Sequence, residues 1–102
     1  MASMTRAESE YAGDAVRLGC AICRRLGYGE TPSHFHHPRT GVGAGRKAAH
    51  GDGFPLCPEH HQGNTGIHGM GRKSFERHYG VTEAELTAET KRLVEELRGR
   101  RV

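Results

Sequence analysis

Phe54-Pro55-Leu56-Cys57-Pro58-Glu59-His60-His61 is the stretch on which the reading of this chain turns. Phe54-Pro-Leu56 reads as a short strand. Cys57 to His61 reads as the start of a helix, with Pro58 in the first turn, where its missing N–H is not needed. Cys57 and His60 are separated by two residues, and Cys20-Ala-Ile-Cys23 upstream repeats that spacing. A two-residue gap lets both side chains of a pair reach one ion from a tight turn, and two such pairs close a tetrahedral site. Cys20, Cys23, Cys57 and His60 are therefore expected to bind a structural Zn2+, with His61 as the alternative fourth ligand. The competing reading is a redox Cys-x-x-Cys with a stray buried Cys57. A second pair of matching spacing weighs against it.

The need for such a staple follows from the totals. The chain has 102 residues, 34% of them hydrophobic, with no Trp and 15 Gly. A chain this short buries a modest share of its surface, and small scaffolds commonly add a disulfide or a metal. Three cysteines do not make a closed disulfide framework, and the zinc site uses all three. No signal-peptide pattern opens the sequence, and no apolar run approaches the length of a membrane span. The expectation is a cytoplasmic protein in a reducing compartment, where thiols bind metal more often than they pair, with no membrane partner. A net charge of +3 is compatible with nucleic-acid binding without demanding it.

Outward from the quoted stretch, periodicity and punctuation divide the chain. Residues 1–5 read as an unstructured start. Ala7, Tyr11, Ala15 and Leu18 recur at helical spacing and predict an amphipathic helix over 6–18, ended by Gly19. Ser33 to His37 reads as a short strand that Pro38 keeps out of any sheet centre. Residues 39–53 form a glycine-rich, basic loop. A helix is expected over 72–79, ended by Gly80. Thr82 and Glu85 make a capping-box pattern. Leu86, Leu93, Val94 and Leu97 supply the apolar stripe of a last helix over about 83–98. The whole of 1–102 reads as one domain, with its core at about 20–80.

Histidine is over-represented, at eight residues. Strand alternation sends His36 and His37 to opposite faces. His61 follows a zinc ligand and leaves the other side of the same helical turn. His36 and His61, with His68 as a third, can then converge on a second metal. The competing reading makes His36, His37, His61 and His68 a purely structural site, but such sites usually close with four protein ligands and often include cysteine. Arg39, Arg46, Lys47, Arg72 and Lys73 flank these histidines and are candidates to neutralise DNA phosphates. The Gly-x-Gly-x-Gly run near them is not a nucleotide-binding fingerprint, since no strand–turn–helix surrounds it.

Cys-x-x-Cys, then His-His-Pro, then Leu-Cys-x-x-His-His resembles the zinc-stapled HNH nucleases with a ββα-metal core. His36-His-Pro-Arg-Thr-Gly-x-Gly-x-Gly-Arg-Lys, Pro55-Leu-Cys-x-x-His-His and Gly66-Ile-His-Gly-Met-Gly are more similar still to the phage-associated Ref-like branch, the recombination-enhancement nucleases. The resemblance covers residues 20–80. It implies an α+β fold, a small zinc-stapled ββα-metal domain with flanking helices. It implies an endonuclease that hydrolyses DNA with a divalent ion (Mg2+, Mn2+, Ni2+ or Zn2+). His36 falls at the family's first metal-ligand position, His37 at its general base and His61 at its second metal-ligand position. The family's central Asn has no match, and Asp52 stands nearest to orient His37, with His50 behind it. The resemblance also implies a phage or prophage protein in a bacterial host, with a recombinase filament or another phage or host protein as partner. Outside it, a non-catalytic zinc module that binds DNA or serves a recombination complex is the alternative.

Overall fold

The computed structural model describes residues 5–38 and 53–100. The first helix, α1, spans Arg6–Arg17, and Thr5 caps it. Thr5 Oγ1 accepts from the Glu8 N–H at 3.1 Å, and the Glu8 carboxylate accepts from the Thr5 N–H at 2.8 Å. The unstructured start expected over 1–5 thus loses its last residue to a capping box, whose Thr-x-x-Glu pattern lies plainly in the sequence. Gly19 ends α1 at φ +81°, where a Cβ would also strike the backbone of Glu30 and Thr31. Cys20 then caps α2 (Ala21–Arg25).

Two short strands, β1 (His34–His36) and β2 (Phe54–Leu56), pair antiparallel. His34 lies opposite Leu56, Phe35 opposite Pro55, and His36 opposite Phe54. In a two-stranded sheet both strands are edges, so Pro55 is tolerated inside β2. Then come α3 (Pro58–His61), α4 (Ile67–Met70), α5 (Arg72–Tyr79) and α6 (Glu83–Arg100). The result is a small mixed domain of helices around a short sheet. No helix among the described residues is long and apolar enough to cross a membrane.

The core gathers Ile22, Phe54, Leu56, Ile67, Phe75, Val81 and Leu86 around Cys20 and Cys23. Helix α1 lies against both strands and α6. The Tyr11 hydroxyl donates to the Gly53 carbonyl at 2.9 Å, and Arg98 of α6 donates to the buried Asp14 of α1 at 2.9 Å. Helix α6 runs to Arg100, past the expected end at about 98, and its buried face keeps only half of the expected stripe. Leu86 and Val94 are buried, but their companions are Glu83 and Thr90, while Leu93 and Leu97 are only half-buried. Thr90 tolerates this because its hydroxyl donates to the Leu86 carbonyl at 2.7 Å. The polar residue Glu83 has a different reason to be inside, described below.

Between α3 and α5 the chain is held tight by missing side chains. A Cβ on Gly66 would press on the backbone of Glu59, His60 and His61, and one on Gly69 would collide with the Gly63 carbonyl. These close approaches set α4 directly on α3. Gly69→Ala is therefore expected to destabilise the protein by about 1–3 kcal/mol, the usual cost of overpacking, despite alanine's better helix propensity. Chemical denaturation checks this.

Candidate metal centres

Among the described residues two clusters of side chains that could hold a metal ion converge, and α3 serves both. Cys20, Cys23, Cys57 and His60 form the first. Cys20 and Cys23 come from the start of α2, where the Cys23 N–H donates to Cys20 Sγ at 3.4 Å. Cys57 caps α3 and His60 lies one turn further on. His60 Nδ1 stands 3.5 Å from Cys20 Sγ, 3.5 Å from Cys23 Sγ and 3.2 Å from Cys57 Sγ, and the Cys23 and Cys57 sulfurs are 3.8 Å apart. Zinc bonds of about 2.3 Å to sulfur and about 2.0 Å to nitrogen put the corners of a tetrahedron about 3.8 Å (S to S) and about 3.5 Å (S to N) apart. The S–S edge and two of the S–N edges match those figures, and the Cys57–His60 edge is shorter, at 3.2 Å. All three thiols are free rather than disulfide-bonded. The cluster could thus hold a structural metal ion such as zinc. Burial pushes the Cys20 thiol up to about 12 and holds His60 below the ordinary histidine range. Tyr79 of α5 covers the site: its ring meets His60 edge-on at 5.6 Å, and its hydroxyl donates to the Thr65 carbonyl at 2.7 Å.

The second cluster is His36, His61 and His68. His36 arrives from the end of β1, His61 from α3 and His68 from α4. Ring centroids lie 5.2 Å (His36–His61), 5.4 Å (His36–His68) and 4.7 Å (His61–His68) apart. Burial, then the neighbouring His36, His68 and His34, push His61 down to about 4, so its imidazole is neutral at pH 7. His61 Nδ1 is buried and finds no hydrogen-bond partner among the described residues. A buried nitrogen left unpaired is costly, and a metal ion would satisfy it. Three imidazoles converging on one point also fit a borderline divalent ion such as zinc or nickel.

Of the other residues singled out by sequence, His37 lies just past β1, which spans His34–His36 rather than the expected 33–37, and it is exposed while its neighbour His36 is buried. Its ring meets Phe35 edge-on at 5.0 Å. The expected choice between His60 and His61 resolves into one ligand for each cluster, because successive residues on a helical turn point about 100° apart. Arg72 is half-buried and pairs with Glu76 at 3.2 Å, whereas Lys73 is exposed. Asp52, His50, Arg39, Arg46 and Lys47 lie outside the described residues. Sequence reading missed Glu83. It is 1% exposed, and its carboxylate stands 2.7 Å from His36 Nε2. The available signal was its place on the α6 face that also carries Leu86, Thr90 and Val94.

The chain matches no protein-family model, and no curated protein matches it.

Proposed function

We propose that this chain is a metal-dependent endonuclease of the HNH type that hydrolyses DNA phosphodiester bonds, with Zn2+ in the Cys20–Cys23–Cys57–His60 site. The observation that supports this most is the division of labour on one turn of α3. His60 serves a four-residue cluster suited to structure, while His61 joins His36 and His68 in a cluster that among the described residues has three members, the ligand number of a catalytic site.

The roles of the residues follow from chemistry. His36, His61 and His68 would hold a divalent ion: Zn2+, Ni2+ or Mn2+, or Mg2+ where water and phosphate supply the remaining ligands. Such an ion supplies Lewis-acid stabilisation of charge on the phosphate oxygens. His37, exposed beside buried His36, takes the proton of the attacking water, the usual part of a histidine as general base. Lys73 offers a cation for the DNA backbone. The phage or prophage setting, a bacterial cytoplasm and a recombinase filament or another phage or host protein as partner complete the proposal.

Plasmid cleavage with Mn2+, run alongside metal counting, tests it. The parent should retain one ion after dialysis against chelator and bind a second reversibly. His61→Ala should keep the first, lose the second and cut at background rate. Two ions that both resist chelator in the parent would make both sites structural and sink the nuclease reading.

A further inference from the structure

We propose that Glu83 is the positioning residue of the three-histidine centre: its carboxylate accepts the Nε2–H of His36 and thereby turns the Nδ1 lone pair of His36 toward the ion. This rests on the reading of His36, His61 and His68 as a metal centre.

A neutral imidazole carries one N–H and one lone pair. His36 Nε2 lies 2.7 Å from Glu83 Oε2, and both side chains are almost wholly buried, at 4% and 2% exposure. A carboxylate this close fixes the proton on Nε2, so the ligating atom is Nδ1. Glu83 is not among the groups that converge with the histidines. It stands behind His36 and acts through it. A carboxylate behind a ligating histidine fixes the ring's orientation and raises the basicity of the nitrogen facing the metal.

The carboxylate is itself held in place. Glu83 opens α6, where the helix dipole favours a negative charge. Its backbone N–H donates to Glu76 Oε2 at 2.8 Å. The preceding Thr82 and Glu85 form a complete capping box: the Thr82 N–H donates to Glu85 Oε1 at 2.9 Å, and the Glu85 N–H donates to Thr82 Oγ1 at 3.0 Å. Arg72 steadies Glu76 from the far side. A buried carboxylate is expensive without a strong partner, so an acid on the buried face of α6 is better explained by His36 than by packing.

Two measurements on the full chain test this. In the one-zinc protein titrated with Zn2+, long-range 15N–1H spectra report which His36 nitrogen carries the metal and which the proton. The expected result is metal on Nδ1 and hydrogen on Nε2. Metal on Nε2 would make Glu83 a direct ligand or a bystander and would overturn the proposal. Glu83→Gln and Glu83→Ala should weaken Zn2+ binding at the second site by about 10–100-fold, with one tight zinc and the far-ultraviolet spectrum retained. Unchanged affinity in the folded variants would also overturn it. A parent that binds no second ion would defeat the underlying metal-centre reading itself, a different and recognisable failure.

Discussion

Cys57→Ser should abolish cooperative unfolding and leave a chain that melts without a transition. Cys57 adds to the small apolar core a link between α2 and the start of α3. The cluster ties α2 to the start of α3, and thirty-three residues separate Cys23 from Cys57. The buried apolar set is small, and two of its members, Cys20 and Cys23, belong to the cluster. Structural zinc in small domains contributes apparent binding free energies of about 10–16 kcal/mol, as large as the whole net stability of a typical domain. Removing the chelator-resistant ion by acid together with chelator should therefore reproduce the effect of the mutation, and added Zn2+ at neutral pH should reverse it in the parent but not in Cys57→Ser. Circular dichroism through a thermal ramp reads both. The pH dependence has a definite sign. Burial holds the metal-free Cys20 protonated through neutral pH, with its thiol pushed up to about 12. Zinc must displace that proton, so loading weakens as pH falls and strengthens as it rises. Retention of a sharp transition in the metal-free chain would show that the apolar core suffices alone.

His37→Ala is expected to slow DNA cleavage by about 10²–10⁴-fold, the usual contribution of a positioned general base. Metal content and melting temperature should stay where they are in the parent. The contrast with Cys57→Ser comes from burial. His37 is exposed just past β1, so its truncation opens no cavity and removes no cluster ligand. A rate equal to the parent's at unchanged metal content would remove His37 from the chemistry. A drop in metal content would instead give it a structural part.

Most of this architecture is legible in the sequence because local rules set it. Gly19 and Gly80 mark helix ends through positive φ. Pro58 marks a helix start, and Thr82-x-x-Glu85 marks another. The equal spacing of Cys20–Cys23 and Cys57–His60 identifies a site without any knowledge of the fold. The convergence of His36, His61 and His68 is legible in part, since strand alternation and helical rotation give directions but not meeting points. Glu83 was hidden for a physical reason. Binary patterning assigns acids to the solvent face, and the partner that reverses the rule lies forty-seven residues away on another element. Thr5 was hidden by its position near a terminus, where a cap is easily mistaken for slack chain.

The placement of His60 and His61 on consecutive residues has a thermodynamic consequence. The peptide between them is rigid and planar, so the two clusters share a single mechanical link. Loading one centre restricts the backbone that presents the other. By linkage, whatever factor an ion at the cysteine cluster adds to affinity at the histidines, an ion at the histidines returns to the cysteines. Divalent metal at the three histidines should then protect the distant thiols from chelator and oxidant without touching them.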